Sequence, residues 1–139
     1  MAIFLNNKVG FKLNTVDLSD HVTAFTLNRQ ADQLEVTAMG DTAHKFVTGL
    51  SADTITVSFL NDTAAASVLA TIQAAFGTTV AFSAIQDKVA VVSATNKLYT
   101  GTVLVDNLTD IAGAVADEAM IDITFTCNST TALATTGTF

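Results

Sequence analysis

Ser19-Asp20-His21 sets a hydroxyl, a carboxylate and an imidazole in consecutive positions, the three groups of an acyl-transfer relay. Neighbouring residues cannot converge on one another in that way, because relays assemble from positions far apart in the chain. Asp20, His21, Asp41, His44 and Cys127 are metal-ligand types, but two His and one Cys at these spacings match no zinc pattern. The glycines are isolated at turns and form no phosphate cradle. Three sequons, at Asn61, Asn107 and Asn128, matter only on a secretory route. With no Trp and only Tyr99, the chain lacks the exposed aromatic platform of a sugar site, and its nine Phe belong in a core. The expectation is a chain without catalytic, metal or cofactor chemistry.

The totals bound the class. A chain of 139 residues suits one domain, 1–139, which needs no disulfide or metal to hold it. Half the residues are hydrophobic and 14% charged, against roughly 25% in ordinary soluble domains. Little charge and no proline leave few means of blunting exposed strand edges. Such edges are either covered within the chain or paired with neighbours, and the second suits an assembling protein. A net charge of -7 with six scattered cations excludes a nucleic-acid grip, which needs clustered Lys and Arg. Cys127 is alone and implies no disulfide framework. Ile3-Phe4-Leu5 is too short for a signal peptide core. The uncharged stretch between Asp62 and Asp87 is broken by Gly77-Thr78-Thr79, so a membrane anchor is not expected.

The elements follow from periodicity. Val9 to Leu13 alternates as a first strand, and Asn14 to Asp20 is turn-rich. Val22 to Arg29 reads as a strand, Arg29 to Asp32 as a polar turn, and Leu34 to Met39 as a strand with Leu34, Val36 and Ala38 on one face. Met39 to Lys45 reads as an exposed loop, followed by a short apolar piece with Gly49 as a turn. Thr54 to Leu60 alternates strictly. One helix is predicted, capped by Asn61-Asp62-Thr63 and ended by Gly77, with Ala65, Val68, Leu69, Ile72 and Phe76 as its apolar stripe. At 1.5 Å per residue it would be about 20 Å long. Strands are expected again at Thr79–Ile85, Val89–Val92, Leu98–Val105 and Ala119–Thr126, with Asp106 to Asp117 mostly loop. The Thr-rich end, 128–139, reads as a flexible tail or an inter-subunit arm. The fold class is mainly β, a sandwich or barrel with one flanking helix.

Val16 to Val22, the following Leu27-Asn28-Arg29, and Thr37 to Phe46 resemble the major tail tube proteins of long-tailed bacteriophages. Ser93 to Asn96, Tyr99-Thr100-Gly101 and Ile111 to Val115 are similar to later segments of that group. The chain departs from the family at Thr48, where relatives carry a proline. The resemblance implies a β-sandwich flanked by a helix. It also implies hexameric rings whose strands join across subunits, stacked into a hollow tube that conducts DNA during ejection. Loops and terminal arms bridge the rings, and other tail proteins would be partners. By the same resemblance the chain is assembled in the host cytoplasm and resides in the virion tail, and its acidic surface lets DNA pass without adhering.

Met39, Gly40, Asp41, Thr42, His44 and Lys45 are accordingly the subunit-interface candidates. From sequence alone the same loop reads as a solvated hairpin tip, and the resemblance decides for the interface. The rival reading is a monomeric Ig-like decoration or adhesion module; a hydrolase ranks last.

Overall fold

The computed structural model describes residues 6–64 and 67–139. Its strands are β1 (Gly10–Leu13), β2 (Val16–Asp17), β3 (Val22–Asn28), β4 (Ala31–Glu35), β5 (Phe46–Ser51), β6 (Thr54–Leu60), β7 (Thr79–Ile85), β8 (Leu98–Leu104), β9 (Met120–Cys127) and β10 (Ala132–Ala134). One helix, α1 (Val68–Ala75), lies between β6 and β7. The expected fold class holds: antiparallel strands dominate, with a single α-helix beside them among the described residues.

β6 and β9 show why the core forms where it does. Ile55, Val57 and Phe59 alternate with Thr54, Thr56 and Ser58, so one face is apolar and the other polar. β9 repeats the pattern, and the register pairs Ile55 with Phe125, Val57 with Ile123 and Phe59 with Ile121. All six side chains are buried. Each such side chain contributes roughly 1.5–3 kcal/mol by leaving water.

The sheet runs β2-β1-β7-β8-β9-β6-β3 but does not lie flat. Only Val103↔Cys127 and Leu104↔Thr126 join β8 to β9. Beyond Cys127 the chain turns onto β8, and β10 pairs with its other end at Leu98, Tyr99 and Thr100. β9 thus leaves β6 for β8 at a corner, and the sheet folds into two facing halves there. The ring of Phe11, on β1, lies 5.1 Å from that of Phe25 and 6.2 Å from that of Phe59, on β3 and β6. Strands at opposite ends of the order therefore meet across the core. A Cβ on Gly101 would lie 2.9 Å from the ring of Phe82 across the β7–β8 pair, so only glycine fits beneath that ring.

Asp53 holds the corner. Its carboxylate, nearly fully buried, accepts the Gln30 amide at 3.1 Å and the Thr131 amide at 3.1 Å, and its carbonyl accepts the Cys127 amide at 3.0 Å. Burial pushes this carboxyl's pKa up, but the bonds from Thr131 and Gln30 outweigh it and leave the group below its ordinary value.

Several sequence expectations need correction. The helix is eight residues, about 12 Å, and begins at Val68 with Ser67 before it. Ser67, not Asn61-Asp62-Thr63, stands at the N-cap; the Asp62 side chain accepts the Ala64 amide and faces His21, while its carbonyl accepts the Leu69 amide of the first turn at 3.2 Å. Ala65 lies outside the described residues. Gly77 does end the helix in the left-handed region, φ +80°, while extended Phe76 swings off the apolar stripe and is exposed. Gly49 sits inside β5 and is not a turn, and β4 starts at Ala31, within the expected polar turn. Val89–Val92 is no strand. Asn96, buried beneath this stretch, accepts the Asp87 amide and donates to the carbonyls of Asp87 and Val91, which holds it as a loop. Residues 128–139 run back along the sheet: β10 pairs with β8, and Lys12 Nζ stands 4.5 Å from the centre of the Phe139 ring.

Candidate assembly interface

β4 and β5 pair with each other and form a separate two-stranded sheet. Among the described residues no other strand or helix packs against them comparably, though Ser51 of β5 is 3.1 Å from the Thr130 hydroxyl. The hairpin springs from the body between β3 and β6. At its root the Ala52 amide donates to the Gln30 carbonyl at 2.6 Å, and Asp53 holds the Gln30 amide.

Apolar side chains stand on both faces of this arm. Leu34 and Val47 are cross-strand partners on one face, with Val36 beyond Leu34 on the same side. Phe46 opposes Glu35 on the other face, its ring 6.3 Å from that of His44. Phe46 is 50% exposed, Leu50 80% and Met39, at the tip, fully exposed. A lone two-stranded hairpin is marginal in water, and clustered exposed apolar side chains mark an interaction surface.

The tip is built by its own polar groups. Asp41 accepts the Ala38 amide at 2.8 Å and the Lys45 ammonium at 2.6 Å. Glu35 accepts the Thr37 hydroxyl at 2.9 Å and lies 2.6 Å from His44 Nδ1. Thr37 in turn accepts the Lys45 amide at 2.9 Å. These bonds draw Thr37 and Ala38 out of the ladder into the loop, which is why the expected Leu34–Met39 strand stops at Glu35. Hydrogen bonds from His44, then Thr37, hold the Glu35 carboxyl below its ordinary pKa, and Lys45, then Ala38, do the same for Asp41. Gly40 turns the chain at φ +94° with open space around it.

The six candidates, Met39, Gly40, Asp41, Thr42, His44 and Lys45, thus come together on one exposed, internally braced tip. Sequence reasoning missed the flanks, Leu34, Phe46, Val47 and Leu50. A signal was present: Phe46-Val47-Thr48-Gly49-Leu50 carries apolar residues on both parities, which demands two covering layers where a small domain supplies one core.

The residues with chemistry scatter. Ser19 bonds to Asp17 and to the Phe11 amide, Asp20 pairs with Lys88 at 3.0 Å, and His21 Nε2 lies 3.0 Å from Asp62. Among the described residues, no group of three or more His, Cys, Asp or Glu is placed to hold a metal ion. Burial and the nearby Asp53 carboxylate raise the pKa of the Cys127 thiol, the reverse of what an activated nucleophile needs. No protein-family model matches the chain, and no curated protein matches it.

Proposed function

We propose that this protein is a structural subunit that assembles with copies of itself, as a tail tube protein of a long-tailed bacteriophage. In this reading hexameric rings stack into a hollow conduit for DNA. The observation that carries the assembly part is the β4–β5 arm, apolar on both faces and largely uncovered by the other described residues. The tube part rests on the resemblance of Thr37 to Phe46, which coincides with the tip of that arm. A closed ring requires one heterologous contact, and a tube requires a second that repeats along the axis. The arm serves as the axial contact, reaching from one ring to the next. The net charge of -7 makes a lumen that repels DNA. The subunit does no catalysis, takes no cofactor, works beside other tail proteins and resides in the virion.

Negative-stain electron microscopy across a concentration series tests this. Hollow rods or rings of constant diameter are expected. Uniform small particles at every concentration would return the chain to the monomeric decoration or adhesion reading.

A further inference from the structure

The root of the arm and the segment 128–139 meet at one carboxylate. Asp53 Oδ1 accepts the amide of Gln30, just before β4, and Oδ2 accepts the amide of Thr131, just before β10, each at 3.1 Å. A second bond runs beside these two: the Thr130 hydroxyl donates to that of Ser51, the last residue of β5, at 3.1 Å. Asp53 is only 3% exposed, and an ionised carboxylate at that depth depends on the donors that face it.

From Asn128 the chain lies as a strap along β8. The Asn128 amide donates to the Thr102 carbonyl at 2.8 Å, and the Thr102 amide donates to the Ser129 hydroxyl at 3.0 Å. β10 then pairs with Leu98, Tyr99 and Thr100. The strap runs on to β1, where the Phe139 ring lies against Gly10; a Cβ there would stand 2.8 Å from two ring carbons. Arm and strap leave the body in different places, yet each carboxylate oxygen of Asp53 holds one of them.

That division of labour makes the two bonds interdependent. The cost of burying the charge is offset by both donors together, and one donor alone offsets less of it. When the arm opens and Gln30 withdraws, the carboxylate turns toward water and gives up Thr131 more readily. The converse holds when the strap lifts, because coupling between two sites is reciprocal. We propose that Asp53 is a coupling residue, whose carboxylate ties the arm to the strap so that opening of either favours opening of the other. The coupling belongs to the single chain and goes beyond the assembly reading without resting on it. Wherever a partner seats the arm, the strap is locked onto β8 as a consequence.

Hydrogen exchange on the full chain under native conditions tests this, with the amides of β6 as the control for global opening. Gly40→Ala loosens the arm at its far tip. The amides of Thr131 and β10 should then exchange faster together with those of β4 and β5, by about tenfold, while β6 keeps its rates. Asn at position 53 offers an acceptor oxygen at only one of the two positions. In the Asp53→Asn chain, Gly40→Ala should therefore speed the arm and leave the strap at the rate that Asp53→Asn alone sets. Gly10→Ala gives the reverse test with Asp53 intact: it presses on the Phe139 ring, and the Gln30 amide should exchange faster. Strap rates that ignore Gly40→Ala would overturn the coupling, as would an equal response in the Asp53→Asn chain. If Asp53→Asn does not fold, a Gln30 amide unmoved by Gly10→Ala overturns it.

Discussion

Two antiparallel pairs of similar length stand side by side in this molecule and meet opposite fates. β6 and β9 turn strict alternation into a face that is wholly buried. β4 and β5 form a ladder with one register shift and carry their apolar residues on both faces, where Leu34, Phe46 and Val47 stay about half exposed and Leu50 more so. Backbone pairing is the same in kind; what differs is the layer on top. Main-chain hydrogen bonds exchange for bonds to water with only ~1 kcal/mol net gain each, so covering apolar surface decides which pair is stable by itself. The body is the folding unit, and the arm is an appendage that, in the proposed assembly, a partner would stabilise.

The largest effect expected from this contrast is a pair of phenylalanine truncations. Phe59→Ala opens a cavity beside Phe11 and should destabilise the monomer by about 3–5 kcal/mol. Phe46→Ala, on the exposed arm, should stay within about 0.5 kcal/mol. Denaturant unfolding of the monomer reads both, and assembly should reverse the order, with Phe46→Ala the more damaging to multimers. Equal losses in the monomer would mean that the arm is part of the core.

Next comes the joint between the two regions. Asp53→Ala strips the buried Thr131 amide and the part-buried Gln30 amide of their acceptor, at about 1–3 kcal/mol for the buried one and less for the other. The carboxyl's pKa is depressed on folding, so its contribution is present above the ordinary carboxylate range and lost as pH falls through the folded value. Wild-type stability should therefore decline below about pH 4, and Asp53→Asn should flatten that decline. An unchanged acid limb in Asp53→Asn would assign the decline to other carboxylates.

Asp41→Lys acts on the arm alone. It removes the acceptor for Ala38 and sets a like charge beside Lys45, whose own side chain is exposed. The monomer should keep its unfolding midpoint while rods or rings disappear from micrographs. Normal tubes from this variant would remove the tip from the axial contact.

The body was legible from the sequence because its signals are local and agree with its packing. Thr54 to Leu60 and Ala119 to Thr126 alternate cleanly, and both lie on a one-sided core. Gly77 was legible because a helix end in the left-handed region demands it. What escaped reading was set by contacts distant in sequence or by isolated side chains. Val89-Ala90-Val91-Val92 looks like a strand, yet Asn96 binds it as a loop. Asn61-Asp62-Thr63 looks like the N-cap, yet Ser67 holds that position and the Asp62 side chain is engaged by His21, 41 residues away in sequence. The tip was singled out through a family resemblance, and the exposed apolar flanks around it were not, since apolar strands look alike whether a core or a partner covers them.

The finest test of independence uses two glycines. Gly77, at the end of α1, and Gly40, at the arm's tip, both adopt positive φ with open space where a Cβ would go. Alanine at either site meets backbone strain of roughly 1–2 kcal/mol and no clash. If arm and body formed one cooperative unit, both substitutions would lower global stability equally. If the arm opens by itself, the strain at Gly40 falls on that local equilibrium and leaves the body untouched. Gly77→Ala should therefore lower the unfolding free energy by about 1 kcal/mol. Gly40→Ala should leave it unchanged while speeding hydrogen exchange in β4 and β5. The same variant should weaken assembly by the extra free energy needed to order the tip, roughly a factor of ten per 1.4 kcal/mol. A shared loss of global stability would make the arm a built-in part of the body, one that folds without a partner.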